Sequence, residues 1–257
     1  MVVGLDRFRD FFDGYQDNYT LIGGTAVFVA MDASGLQFRV TKDLDIVLCA
    51  ETFHPAFARR MWEFVEEGEY SARERSSGDR ELYRFLKPKK AGFPLVIELF
   101  SRLPDVIQVP PGCTLTPIPI ADEVSSLSAI LLGDDYYRLV QQGAVREGGL
   151  SVLQPAYILP LKARAWLDLT ARHAAGEEID SSDIKKHRND ILRLSQIISP
   201  ATRVMVPRTV RQDLDRFSAN GLNEGASPKD LNVPVTLDEV RGLIEVVYHE
   251  DEEDRSR

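Results

Sequence analysis

Two aspartates, Asp43 and Asp45, lie one residue apart in the otherwise apolar segment DLDIVL of residues 43–48. If this segment is a strand, its alternate side chains point to one face, so the two carboxylates lie on the same side with their Cα atoms about 7 Å apart. Mg²⁺ takes oxygen ligands, commonly one or two carboxylates together with substrate phosphates. The pair therefore indicates a cation site, and the alternative is that the aspartates begin the strand at its solvent edge.

A second chemical signal lies upstream, where the strand-like YTLI enters a turn at Gly23 and Gly24, and the helix-like TAVFVAMDA follows with Thr25 near its start. Glycines let a phosphate approach the backbone, and the N-terminus of a helix presents N–H groups to that anion. The hydroxyl of Thr25 could add a donor. The alternative is a tight turn with a helix cap. The spacings of the dinucleotide fingerprint and of the P-loop, GxGxxG and GxxxxGK(S/T), do not match this segment.

The third signal is Glu98 in PLVIELF, where apolar residues flank the acid on both sides. A buried acid needs a partner, because burying it alone is unfavourable. On a strand beside Asp43 and Asp45, Glu98 would complete a set of three carboxylates able to hold two Mg²⁺ ions, one activating a hydroxyl and one binding a triphosphate. The alternative is an acid at a sheet edge.

Hydrophobic periodicity predicts the elements that would position these residues. Helices are expected at 5–15 and 54–68, with strands at YTLI, DLDIVLCA, RELYRFLK and FPLVIELFS, the last two forming a hairpin. After a proline-rich stretch, further helices are expected at 123–144, 157–177, 180–198 and 236–248, with Ser181 or Ser182 capping the third. We therefore expect an α/β domain over 1–120 and a helical domain over 121–257, with a disordered tail over about 249–257.

Composition limits the function classes. The chain has 257 residues, of which 44% are hydrophobic, and a net charge of −9, so it can bury a core but repels a phosphate backbone except at a local basic site. Cys49 and Cys113 do not form a CxxC motif, so neither a zinc site nor a disulfide framework is indicated. No apolar run approaches the length of a membrane span. A cytoplasmic protein with no membrane partner is expected.

At this point the residues resemble a known family. The segments IGGTA, RVTKDLDIVL and VIELF resemble the hG(G/S), DxDh and h(D/E)h pattern of the DNA polymerase β-type nucleotidyltransferases. LPLKARAWLDLTAR and GEEIDSSDIKKHRNDILRL resemble the C-terminal half of the AbiEii/AbiGii toxin-like nucleotidyltransferases. The resemblance covers residues 15–200 approximately. It implies an α+β fold, in which a polymerase β-like nucleotidyltransferase core (a small mixed sheet with flanking helices) precedes a mainly helical C-terminal domain.

The resemblance also assigns roles. Nucleotide phosphates would be held at Gly23, Gly24 and Thr25, and the metal ligands would be Asp43, Asp45 and Glu98. Catalysis would involve those acids together with Lys162, which contacts the triphosphate or acceptor, and Asp190, which orients the acceptor hydroxyl or acts as a base. Arg39 and Lys42 flank the aspartates and would bind nucleotide phosphates, the alternative being that they are solvated charges.

Spacing alone favours structural roles for Lys162 and Asp190. Lys162 could be a surface lysine beside Trp166, and Asp190 could form an exposed helix ion pair with Lys186 or Arg193. Leu169 stands where the family motif has an arginine, with Arg164 and Arg172 on either side. His187 lies on an apolar stripe, which favours a structural role.

The resemblance implies a nucleotidyltransferase of the EC 2.7.7 type that moves a nucleoside monophosphate from an NTP to a hydroxyl, with Mg²⁺ as cofactor. It further implies a toxin or phage-defence role, an RNA acceptor such as a tRNA 3′ end, and a cognate antitoxin protein. The alternatives are an aminoglycoside-type enzyme acting on a small molecule and a non-catalytic nucleotide-binding module. The basic segment 73–90 is either an RNA-binding surface or a solvated hairpin face.

Overall fold

The computed structural model describes residues 2–49, 52, 55–74, 80–100, 133–223 and 225–251. These residues form two compact units. The first holds the described residues before position 101 together with Ala144–Leu153, and the second holds Gly133–Gly143 together with Gln154 and the residues after it. The expected division at residue 120 placed 144–153 in the helical domain. That assignment is wrong for these residues, because they form strands that hydrogen-bond to the N-terminal sheet.

The first unit is built on a mixed sheet. Its strands are β1 (Tyr19–Leu21), β2 (Asp43–Leu48), β3 (Ser71–Glu74), β4 (Arg80–Leu86), β5 (Val96–Phe100), β6 (Ala144–Glu147) and β7 (Leu150–Leu153). The order across the sheet is β3-β4-β5-β2-β1-β7-β6. The aspartate strand β2 therefore lies inside the sheet, antiparallel to β1 and parallel to β5. The hairpin predicted from RELYRFLK and FPLVIELFS is confirmed as the antiparallel pair β4 and β5.

In the described residues, the helices that accompany this sheet are α1 (Leu5–Phe11), α2 (Gly23–Ala33) and α3 (Pro55–Glu67). The alternate β2 residues Leu44, Ile46 and Leu48 join a buried cluster that includes aromatic side chains of the α1 and α3 segments. Since side chains alternate along a strand, Asp43 and Asp45 point to the opposite face. The helix α2 contacts β2 and β7. The apolar side chains of β2 therefore pack into the aromatic core, and the two carboxylates lie on the other face of the strand.

The second unit is mainly helical, as predicted. Its helices are α4 (Asp134–Gly143), α5 (Pro155–Ala174), α6 (Ser181–Leu194), α7 (Arg208–Asn220) and α8 (Leu237–Val247), and its strands are β8 (Val204–Val206) and β9 (Tyr248–Glu250). The N-cap of α6 is Asp180, whose carboxylate accepts a hydrogen bond from the backbone N–H of Ser182. The predicted serine caps are wrong by one or two positions. The part of the expected helix before residue 133 lies outside the described residues, as does Cys113.

The C-terminal segment contributes to this unit rather than forming a tail from residue 249. His249 and Glu250 pair with Met205 and Val206 in the parallel ladder of β8 and β9, so the predicted disorder is wrong there, and residues 252–257 lie outside the described part. Tyr248 is fully buried, and its hydroxyl donates to the carbonyl oxygen of Ala156 at 2.6 Å. Ala156 lies four residues before Pro160, which has no N–H to offer that carbonyl. Tyr248 therefore supplies the donor that α5 lacks at this point.

Within the described residues, no helix is both long enough and apolar enough to cross a membrane.

Candidate functional site

Asp45 lies directly beside the start of α2. The backbone N–H of Ile22 donates to the carbonyl oxygen of Asp45 at 3.0 Å, which places the first turn of the helix over this strand position. Gly23 has a left-handed φ of +62°, and a β-carbon built on it would lie 1.8 Å from Asp45 Oδ2. Only glycine fits both demands at once. The close approach of this turn to the carboxylate therefore requires glycine at position 23.

Gly23, Gly24 and Thr25 form the first turn of α2, which therefore begins two residues before the predicted helix TAVFVAMDA. The first intrahelical bond runs from the N–H of Ala26 to the carbonyl of Ile22 at 3.2 Å, so the three preceding amides belong to the N–H groups that a helix start leaves for other acceptors. The hydroxyl of Thr25 is buried and donates to the carbonyl oxygen of Asp43 at 2.9 Å. The side chain of Thr25 thus ties α2 to β2, and the expected hydroxyl contact with a phosphate is not what this geometry favours.

Arg39 lies over the same helix start. Its Nη2 is 3.5 Å from the position that a β-carbon on Gly24 would occupy, and the hydroxyl of Thr41 is 2.7 Å from that position. The guanidinium also lies over the ring of Phe38, 5.1 Å from its centroid. Lys42 is exposed. A cation, an aligned set of amides and the positive end of the helix dipole therefore converge at Gly24, which is an arrangement that attracts an anion.

Glu98 completes a row of charged residues across three neighbouring strands. On β2 and β5, Asp45 is the register partner of Glu98, and on β5 and β4, Glu98 is the partner of Arg84. Arg84 Nε lies 2.8 Å from Glu98 Oε1, and the side chain of Glu98 is only 12% exposed. The expected neighbour relation of Glu98 and the aspartates follows from the parallel pairing of β2 and β5.

The carboxyl group of Glu98 has an unusual affinity for protons. Burial, followed by the charge of Asp45, raises its pKa to about 7, against the opposing effect of Arg84 and with a further contribution from Asp43. A hydrogen bond shared with Asp45 acts in the same direction. The cause is the gathering of several acids at a partly buried place, where ionising all of them is unfavourable.

A divalent cation would relieve this repulsion, and the donors available are the hard oxygens that Mg²⁺ prefers. Asp43 and Asp45 share a face of β2, and two carboxylates with phosphate oxygens and water satisfy this ion, so the residues fit it. Glu98 is engaged by Arg84 at one oxygen. In the described part of the chain, no group of three or more His, Cys, Asp or Glu side chains is close enough to hold a metal. Asp43 and Asp45 are therefore the better supported ligands.

Lys162 and Asp190 form a buried ion pair in the second unit. Lys162 Nζ, on α5, lies 3.1 Å from Asp190 Oδ2, on α6, and the two side chains are 3% and 0% exposed. Arg193 Nη1 lies 3.8 Å from Asp190 Oδ1. The plainer expectation of a surface lysine and an exposed helix pair is wrong, because the facing sides of α5 and α6 enclose both groups. Their expected contacts with substrate stay predictions.

The two arginines near the lysine motif have acidic partners of their own. Arg164 Nη1 is 3.4 Å from Asp213, which also accepts a 2.8 Å hydrogen bond from the hydroxyl of Tyr136. Arg172 Nη2 is 2.7 Å from Glu177. Each arginine thus has a local structural role in the second unit.

The basic segment 73–90 is described only in part. Lys90 Nζ is 2.9 Å from Glu69, and Lys89 Nζ is 3.9 Å from the same carboxylate. Residues 75–79 lie outside the described chain. Lys89 and Lys90 therefore have an acid beside them, which is the pattern of a solvated hairpin.

Sequence reasoning missed Arg84 and Thr41. Arg84 could have been found from the predicted hairpin, because opposite charges favour cross-strand positions, but the register of that hairpin is not readable from its loop. Thr41 carries no local signal, since its role follows from the approach of α2.

No protein family matches the sequence, and no curated protein matches it either. Among solved structures, the chain is similar to an antigenic nucleotidyltransferase-like protein from Paracoccidioides brasiliensis. The identity is 13%, the TM-score is 0.41, and the similarity covers 90% of this chain and 92% of the other. A similarity this distant assigns neither an activity nor a site residue.

Proposed function

We propose that this chain is a Mg²⁺-dependent nucleotidyltransferase that moves a nucleoside monophosphate from an NTP to a hydroxyl acceptor. The observation that carries the proposal is the contact of the α2 start with Asp45, which brings an anion-attracting helix N-terminus and a cation-attracting carboxylate pair to one place. A nucleoside triphosphate with a divalent cation has both charges, so it complements both halves of the site.

In this proposal the amides at the start of α2, together with Arg39, bind the triphosphate, and Asp43 and Asp45 hold the cation beside it. Mg²⁺, when bound, would supply charge neutralisation and polarise a phosphoryl oxygen. The acceptor oxygen forms a bond to the α-phosphorus, and the bond from that phosphorus to the bridging oxygen of the β-phosphate breaks. Pyrophosphate leaves, and the proton of the hydroxyl is released to solvent.

The finer parts of the proposal come from the resemblance of the sequence motifs to those of the AbiEii/AbiGii toxin-like nucleotidyltransferases. They are an AbiEii-like toxin or phage-defence role, an RNA acceptor such as the 3′ end of a tRNA, and a cognate antitoxin. The order of the glycine, aspartate, lysine and late aspartate motifs supports them. The net charge of −9 is also compatible with a cationic small-molecule acceptor, and the size of the labelled product distinguishes the two.

The test is incubation of the full chain with α-labelled NTPs, Mg²⁺ and total bacterial RNA, resolved by size. We expect label in a product that requires Mg²⁺ and disappears in Asp43→Asn and Asp45→Asn. Glu63→Gln, at an exposed glutamate on α3, is the matched control and should retain full labelling. Failure of the unsubstituted chain to bind any NTP with Mg²⁺ would falsify the proposal.

The engagement of Glu98 by Arg84 favours a second candidate, a nucleotide-binding module without turnover. A third carboxylate held by an arginine is less available to a second metal ion, and the chemistry of two-metal transfer needs both ions. This candidate predicts calorimetric NTP binding by the unsubstituted chain with no labelled product from RNA or from aminoglycosides.

A further inference from the structure

Arg84 stands at the end of the charged row that begins at Asp45. Residues that are register partners on adjacent strands present their side chains to the same face of the sheet. Glu98 is the partner of Asp45 on one side and of Arg84 on the other. Its carboxylate therefore lies in the middle of the row, between the acidic Asp45 and the cationic Arg84.

The contact between Arg84 and Glu98 is close and mostly sheltered. Arg84 Nε is 2.8 Å from Glu98 Oε1, with the arginine side chain 36% exposed and the glutamate side chain 12% exposed. The buried Nε–H is not aligned for a hydrogen bond, so charge attraction is the main interaction. Glutamate has three rotatable side-chain bonds, and an oxygen held in this way leaves the carboxylate far fewer orientations.

We propose that Arg84 is a positioning residue that acts on the cation site through Glu98. It holds Oε1 and thereby fixes the carboxylate of Glu98 against Asp45, its register partner, so that Glu98 in turn orients a ligand of the proposed cation. This inference rests on the proposed function, since it requires that cation. Partners that orient metal ligands in this way commonly change metal affinity by 10–100-fold when they are removed.

Two simpler roles make different predictions. If Arg84 only repelled the cation by its charge, its removal would tighten cation binding, whether or not Glu98 were present. If Arg84 only stabilised the sheet, its removal would lower the free energy of unfolding and leave the affinity of the folded protein unchanged. A positioning role requires weaker binding that depends on Glu98.

The experiment measures Mn²⁺ binding to the metal-free full chain by electron paramagnetic resonance, without nucleotide. We expect Arg84→Gln to raise the Kd for Mn²⁺ about tenfold, and Arg84→Lys to restore part of the loss because it keeps the charge. The double variant Arg84→Gln with Glu98→Gln should bind no more weakly than Glu98→Gln alone, since the two residues act as a unit. Arg146→Gln is the matched control, because Arg146 is an exposed arginine on β6 of the same sheet, paired with Asp17.

The inference is wrong if Arg84→Gln leaves the Kd for Mn²⁺ unchanged or lowers it. It is also wrong if the double variant binds Mn²⁺ more weakly than Glu98→Gln alone. If Arg84→Gln fails to fold, Arg84→Lys decides, because a positioning role requires the Kd of this charge-preserving variant to rise severalfold while a pure charge effect leaves it unchanged. Absence of Mn²⁺ binding by the unsubstituted chain would overturn both this inference and the proposed cation site. Binding that Arg84 does not affect would overturn this inference alone.

Discussion

Gly23 and Asp45 are in such close contact that position 23 cannot carry a side chain without displacing the carboxylate. A β-carbon there would lie 1.8 Å from Asp45 Oδ2 and 2.8 Å from its Cγ. The two residues come from elements separated along the chain, and the contact joins the start of α2 to the strand that carries the aspartate pair. Any change at Gly23 is therefore a change in the position of Asp45.

Gly23→Ala should abolish NTP binding, measured by calorimetry with Mg²⁺. The left-handed φ alone is unfavourable by about 1–2 kcal/mol for alanine, and the collision with Asp45 adds displacement of a cation ligand. Gly35→Ala is the matched control, because Gly35 has a φ of +70° with no atom within 4 Å of the added carbon. The Gly35→Ala variant should lose a similar amount of stability because of the left-handed backbone conformation, while its NTP binding is retained. Equal loss of binding in both variants would show that the collision is irrelevant.

Glu98 should make the stability of the metal-free chain fall as the pH rises. Burial and Asp45 raise its pKa from 4.5 to about 7, so between these values the folded state keeps a proton that the unfolded state has lost. The native state binds more protons, and the free energy of unfolding therefore decreases with pH across this window. Glu98→Gln removes the effect, so the variant should gain up to about 3 kcal/mol relative to the unsubstituted chain between pH 5 and pH 8.

Urea unfolding at pH 5, 6.5 and 8, with chelator present, measures this difference. Glu63→Gln, at the exposed glutamate of α3, should track the unsubstituted chain at every pH. Parallel pH profiles for Glu98→Gln and the unsubstituted chain would contradict the raised pKa.

Lys162 and Asp190 should behave as a structural unit. Lys162→Met removes the cation that lies 3.1 Å from the buried carboxylate of Asp190, while Arg193 lies farther away at 3.8 Å, so we expect a loss of about 3–5 kcal/mol in urea unfolding. The double variant Lys162→Met with Asp190→Leu should recover most of that loss, because apolar groups often replace a buried pair well. Arg138→Ala, at an exposed pair with Asp135, should change stability by less than about 1 kcal/mol.

The same variants separate structure from catalysis. A double variant that folds yet labels no acceptor would favour the substrate roles expected for Lys162 and Asp190. A double variant that folds and labels normally would restrict the pair to holding α5 against α6.

Substitution of Asp213, on α7, should destabilise the protein more than substitution of its hydrogen-bond donor Tyr136. Replacement of Asp213 by alanine leaves the hydroxyl of Tyr136 and the guanidinium of Arg164 without this acceptor, so we expect a loss of about 2–3 kcal/mol. Tyr136→Phe removes one hydrogen bond and should cost about 1 kcal/mol. Asp215→Ala, on the exposed side of the same helix and paired with Arg211, should have little effect. Similar losses at positions 213 and 215 in thermal unfolding would contradict this ranking.

The sequence pattern was sufficient for the elements with strong periodicity. DLDIVL alternates apolar and acidic side chains, so both its strand and the shared face of Asp43 and Asp45 were predictable. The hairpin that carries Glu98 was predictable from its apolar runs. The strands β6 and β7 were missed because four-residue segments next to a helix give too little periodicity to distinguish strand from turn.

The site was predictable in its residue types and less so in its contacts. The glycines suggested a turn, but the hydroxyl of Thr25 is used between α2 and β2, which only the packing of those elements decides. Burial of Lys162 and Asp190 likewise depends on how α5 and α6 face each other, and their spacing alone suggested exposure. Arg84 required the register of β4 and β5, which local sequence does not specify.

The hydrogen bond from Tyr248 to Ala156 makes the helix that carries Lys162 dependent on a residue synthesised much later. Until the ribosome has added Tyr248 and released it from the exit tunnel, the carbonyl opposite Pro160 lacks its donor, and β8 lacks its partner strand. Domains generally fold as units during synthesis, the N-terminal part first. The helical unit should therefore mature late on a growing chain, after the sheet residues that precede it have already left the ribosome.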